Sequence, residues 1–174
     1  KGKPKITRLD AGRGATSVQV GDLDGDGQGE VAALFGQERE EVIVYSLDDE
    51  GGYSDHVVYR ADTPLWGASR LRLSDLDKDG DLDILLANGD TLDAPRIASF
   101  QGIHVLENQG GFKFKHRQLL AFPGVHDFQV FDYDNDGDHD IVAVSSLPPS
   151  IVKLAQASLP AGKVLASAIL LKQT

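Results

Sequence analysis

Asp22-Leu-Asp-Gly-Asp-Gly-Gln-Gly-Glu30 is the stretch on which this chain turns, because it returns as Asp75-Leu-Asp-Lys-Asp-Gly-Asp-Leu-Asp83 and again as Asp132-Tyr-Asp-Asn-Asp-Gly-Asp-His-Asp140. Carboxylates at positions 1, 3, 5 and 9 of one short loop repel each other unless a hard cation sits among them. Calcium suits such a set, since it takes 6–8 oxygen ligands in a flexible cage, whereas magnesium prefers few carboxylates and several waters. Glycine at position 6 allows the sharp turn around an ion, as it enters positive φ without steric cost. The rival reading is an EF-hand, which needs a bidentate Glu at position 12. Position 12 is Ala33, Leu86 and Ala143, and β-like runs stand where the flanking helices would be.

The loops are the most repeated part of a longer unit. Their first residues lie 53 and 57 residues apart, a spacing typical of propeller blades. Eight residues upstream of each stands a glycine (Gly14, Gly67, Gly124). Apolar pairs follow (Val18 and Val20, Leu71 and Leu73, Phe128 and Val130), with Gln19, Arg72 and Gln129 between them. That alternation predicts a strand with one buried face. After each loop comes a short aliphatic run (31–35, 84–87, 141–144), which predicts a strand covered on both faces. Further strands are expected over 42–47 and 103–107 and over 54–60 and 112–120, joined by the glycine-rich turns 49–52 and 108–111.

The predicted fold is therefore all-β. It consists of about three four-stranded antiparallel β-propeller blades, which implies a larger propeller. The whole of 1–174 reads as a single segment with blades at approximately 11–62, 63–122 and 123–174. Lys5–Asp10 is expected as an outer strand of a preceding blade, and Val164–Lys172 as the third strand of the last. A loop insertion is expected at 90–100. A second insertion at 147–162 contains Pro148-Pro149 and a short helix over 151–158.

Composition narrows the function. The formal charge is −10, which argues against nucleic acid or an anionic membrane as partner. Four acids in the first loop and five in each of the others make fourteen of the chain's 27. Three bound Ca²⁺ would bring the charge to about −4. There is no cysteine, so disulfides, thiolate metal sites and cysteine nucleophiles are excluded. No apolar run reaches the ~18 residues of a membrane span. With no methionine, the chain reads as a processed product or an excised piece. His56, His104, His116, His126 and His139 lack metal-ligand spacing and read as surface or strand residues. Trp66 reads as core between blades. No nucleophile elbow or other catalytic constellation is present.

On its loops and strands the chain resembles the FG-GAP/VCBS repeat family of calcium-loop propellers, related to the head of integrin α subunits and common in secreted bacterial proteins. Phe35-Gly36 alone keeps the Phe-Gly element, and Asp93-Ala-Pro95 is a loose echo of Gly-Ala-Pro, so the bacterial VCBS type is favoured. The resemblance implies about three calcium ions. Their side-chain ligands would be Asp22, Asp24, Asp26 and Glu30; Asp75, Asp77, Asp79 and Asp83; and Asp132, Asp134, Asp136 and Asp140. The carbonyls of Gln28, Asp81 and Asp138 would complete them. It further implies a non-enzymatic scaffold or a surface recognising protein or carbohydrate, extracellular, cell-surface or periplasmic, and completed by further blades of the same or another chain. The alternatives it leaves open are part of a carbohydrate-active lyase or dehydratase, or an accessory domain of a larger bacterial redox or surface protein.

Overall fold

A computed structural model describes residues 3–12, 14–36, 39–89, 97–158 and 166–173. Three antiparallel sheets follow one another along the chain. The first contains β1 (Ala15–Gly21), β2 (Glu30–Phe35), β3 (Glu41–Leu47) and β4 (Tyr53–Arg60), hydrogen-bonded in chain order. The second repeats this with β5 (Ala68–Ser74), β6 (Asp83–Asn88), β7 (Gly102–Asn108) and β8 (Phe114–Ala121). The third holds β9 (Val125–Phe131), β10 (Asp140–Ser145) and β11 (Ala168–Leu171). A helix, α1 (Pro149–Ser158), stands between the last two strands; proline at its first position is pre-set for helical φ. These sheets are the expected blades. Among the described residues the third has three strands.

Each blade is closed in the same way at its start. Gly14, Gly67 and Gly124 have φ of 92°, 76° and 74°. Their carbonyls accept from the N–H of Gly36, Gly89 and Ser146, at 2.9, 3.0 and 2.9 Å. The upstream glycines of the repeat are thus the left-handed corner at which the chain enters a blade.

Apolar side chains alternate between two inter-blade cores. One face of the first blade (Ala32, Leu34, Val42, Val44) packs on Leu71, Ile84, Leu86 and Leu106 of the second. The other face of the second (Leu85, Ala87, Ile103, Val105) packs on Phe128, Ile141 and Ala143 of the third. Trp66 is buried in the first of these cores, stacked on Phe100 with ring centroids 5.3 Å apart. Gly89 is needed where blades two and three meet, since a Cβ there would collide with the Val125 backbone.

Three expectations are corrected, those for Val18 and Val20, for Phe112 and for the last strand. Val18 and Val20 do not line a buried face: they are 57% and 65% exposed, because their side of β1 faces away from the second blade. Lys5–Asp10 has no strand beside it among the described residues, so the outer-strand expectation for it stays open. Phe112 is a turn residue at φ 56°, and β8 begins at Phe114. The last strand spans only Ala168–Leu171, and residues 159–165 lie outside the described part, as do 90–96 with Asp93-Ala-Pro95.

Candidate metal centre

The three acidic loops join the first and second strands of their blades, and their backbones follow one plan. The position-1 carboxylate accepts from the N–H of the position-6 glycine: Gly27 to Asp22 Oδ2 at 2.9 Å, Gly80 to Asp75 Oδ2 at 3.1 Å, Gly137 to Asp132 Oδ2 at 3.0 Å. The position-5 carboxylate accepts from the N–H at position 7, with Asp26, Asp79 and Asp136 meeting Gln28, Asp81 and Asp138 at 2.7, 3.0 and 2.9 Å. Positive φ is required at position 6 and also at position 4, where Gly25 is joined by Lys78 (63°) and Asn135 (62°). A non-glycine residue in that region is strained unless its surroundings over-determine it.

Ligand atoms converge within 4.8 Å of one another for Asp22, Asp24 and Glu30, for Asp75, Asp77 and Asp79, and for Asp132, Asp134 and Asp136. Asp26, Asp83 and Asp140 are not part of these triplets. One observation bears on whether a cation fits. Asp75 Oδ1 and Asp132 Oδ1 are buried and have no hydrogen-bond partner, although a buried polar atom is costly unless paired. In the first loop the matching oxygen is satisfied by Gly25 N–H at 2.8 Å. Donors made only of oxygen suit a hard cation such as calcium and disfavour zinc or copper.

The position-9 carboxylates are the most buried acids of the loops, with Glu30, Asp83 and Asp140 all inaccessible to solvent. Each accepts from the N–H at position 2: Leu23 to Glu30 Oε2 at 2.7 Å, Leu76 to Asp83 Oδ2 at 3.2 Å, Tyr133 to Asp140 Oδ2 at 3.0 Å. The second oxygen of Asp83 accepts from Asn108 N–H at 2.9 Å, and that of Asp140 from Gln173 N–H at 3.0 Å. Asn108 and Gln173 then reach backwards to the preceding blade. Asn108 Nδ2 donates to Leu23 carbonyl at 3.0 Å, and Gln173 Nε2 to Leu76 carbonyl at 3.0 Å. Each relay ties one loop to the loop before it. Burial holds the Glu30 and Asp83 carboxyls above their ordinary range, partly offset by the N–H groups they accept.

Two lysines lie among the acids. Lys172 Nζ is 2.6 Å from Asp134 Oδ2 and holds that carboxyl below its usual range. Lys78 of the second loop pairs with Asp138 of the third. Asn108, Gln173, Lys78 and Lys172 were not singled out from the sequence. Their roles depend on which blade neighbours which loop, and the one local cue was Asn108 at the start of a turn.

Three histidines, His104, His116 and His139, make contacts within the fold. His104 is fully buried; its Nε2 lies 3.0 Å from Asn88 Oδ1 and 2.8 Å from the Phe100 carbonyl, and its Nδ1 lies 3.0 Å from His116 Nε2. It is thus a strand histidine but not a surface one. His139 Nδ1 is 2.7 Å from Ser74 Oγ, across the junction of blades two and three.

Residues 75–143 match the family model of the FG-GAP-like repeat. No curated protein and no solved structure matches the chain. The matched segment runs from the first Asp of the second loop through β10 and contains the second and third loops. The first loop, outside it, has the same turn geometry.

Proposed function

We propose, from the FG-GAP-like repeat at the centre of this chain, that it is a calcium-stabilised β-propeller module whose task is scaffolding or recognition rather than catalysis. The carrying observation is the pair of buried, unpartnered oxygens on Asp75 and Asp132, each inside a triplet of converging carboxylates. Asp22, Asp24 and Glu30, then Asp75, Asp77 and Asp79, then Asp132, Asp134 and Asp136 would hold the ions, with Asp26, Asp83 and Asp140 and the position-7 carbonyls beside them. Bound calcium supplies positive charge where acids otherwise repel. The chain's own residues do the rest: the N–H groups at positions 6 and 7 orient the carboxylates, and the position-9 acid pins the loop to the blade.

Calcium in this role fits a location outside the cytoplasm, where millimolar concentrations saturate weak sites. Protein or carbohydrate is the partner class we favour. Arg70 and Arg72, which face the groove beside β1, are both held by Asp127 at 3.2 and 3.1 Å, so they serve the scaffold. The test is thermal melting in millimolar calcium and in excess EGTA, with magnesium as control. Each site contributes about 2.7 kcal/mol at a hundredfold excess over Kd, so a rise of several degrees in calcium alone is expected. An unchanged Tm would overturn the reading.

A further inference from the structure

We propose that the three loops are unequal and that Lys78 and Lys172 make the third the last to fill. Their ammonium groups serve its carboxylates as built-in counter-cations, which calcium has to displace. The inference rests on the calcium reading above and names the residues that grade its sites.

The second and third loops form a matched pair. Both carry aspartate at positions 1, 3, 5, 7 and 9 and glycine at position 6, and they differ only at positions 2, 4 and 8. In both, Oδ1 of the position-1 aspartate is buried without a partner. In both, three carboxylates converge within 4.8 Å. As sets of oxygen donors they are alike, but their cationic surroundings are not.

Lys172 Nζ lies 2.6 Å from Oδ2 of Asp134, a member of the converging triplet, and 5.2 Å from the centroid of the Tyr133 ring. Lys78 Nζ pairs with Asp138 and stands above Gly137, where an added Cβ would meet it at 3.8 Å. Among the described residues no lysine or arginine forms an ion pair with an acid of the first or second loop.

Lys78 is itself the position-4 residue of the second loop. Its φ is 63°, and Asn135 holds the same place in the third loop at 62°. Asparagine enters that region with the help of a local hydrogen bond, which lysine cannot make. Lysine persists there only where its surroundings hold it. The second loop therefore sends its own cation across the blade junction to the third. Its five aspartates keep none.

This asymmetry orders the sites. Two lysines against five aspartates leave the third loop at −3, while the second stands at −5 and the first, with four acids, at −4. Both lysines are about half exposed, at 52% and 44%. Each pair therefore weakens calcium by the worth of an exposed ion pair, about two- to fivefold in Kd, the equivalent of about 0.4–1 kcal/mol. When calcium is scarce, the second loop fills first. Lys172, with the Gln173 N–H 3.0 Å from Asp140 Oδ1, then keeps the end of β11 on the third loop without an ion.

The experiment is isothermal titration of the metal-stripped chain with calcium, with melting in EGTA as a second readout. Asp134→Ala identifies the third loop and should delete the weakest binding step. Lys172→Met and Lys78→Asn should each tighten that step two- to fivefold, and together about tenfold. Lys172→Arg keeps the charge and should leave the step as it is in the unaltered chain. In EGTA, Lys172→Met should melt about one to four degrees lower, the opposite sign to its effect on calcium binding, which a general loss of stability does not produce. If calcium binds but Asp134→Ala deletes the tightest step, or Lys172→Met leaves the weakest one unchanged, the inference is overturned and the calcium reading stands. No calcium uptake by any variant would overturn both.

Discussion

Replacing Asp83 by Ala separates the two jobs done by the acids of a loop. Asp83 is buried, and its oxygens accept from Leu76 N–H at 3.2 Å and Asn108 N–H at 2.9 Å. Its removal orphans two buried donors at about 1–3 kcal/mol each, a loss of about 2–6 kcal/mol from a margin of ~5–15 kcal/mol. Part of this loss is offset by relief of the burial that raises the carboxyl's pKa, so about 4 kcal/mol is the working figure. No ion is needed for these bonds, so the loss should persist in EGTA. Asp77 is exposed, and among the described residues its one bond is a 3.3 Å contact from Asp79 N–H. Asp77→Ala should therefore cost within about 0.5 kcal/mol in EGTA, as surface changes do, and more only in calcium. Urea unfolding followed by circular dichroism reads both. At m of about 2 kcal/mol/M the Asp83 variant should unfold about 2 M earlier. If Asp83→Ala costs under 1 kcal/mol in EGTA, or Asp77→Ala costs as much, the division of labour is wrong.

Asn108→Leu removes the amide that donates to Leu23 and Leu82 carbonyls at 3.0 and 3.1 Å; a loss of about 1–3 kcal/mol is expected in urea unfolding, and a loss of zero would dismiss the inter-blade relay. His104 should make stability pH-dependent. Burial, with a smaller contribution from His116, pushes its imidazole down to about 4, against about 6.5 when unfolded. The unfolded chain therefore binds the proton first. The stabilisation is complete above pH 6.5 and is lost as pH falls toward 4, by about 3 kcal/mol. In EGTA, His104→Gln should flatten that slope, and an unaltered slope would show that another group carries it.

What the sequence disclosed, and what it withheld, follows from the range of the interactions. Loop punctuation, strand runs and the short helix are local, and the sequence of 151–158 already marks α1 at Pro149–Ser158. Trp66 as core followed from its size. Period-2 alternation correctly marked Leu71 and Phe128, yet it failed for Val18 and Val20, because which face is covered depends on a neighbouring blade. Asn108 and Gln173 stayed hidden because they act on carbonyls 85 and 97 residues away. Position-9 acids were legible as members of the loop, but their double grip on backbone N–H groups was not.

Whether each of the three loops takes up one calcium ion is read out by isothermal titration of the metal-stripped chain with calcium. Three ions per chain are expected, falling to two in the Asp77→Ala variant with its strand signature intact. A stoichiometry of zero, or one left unchanged by Asp77→Ala, would contradict it.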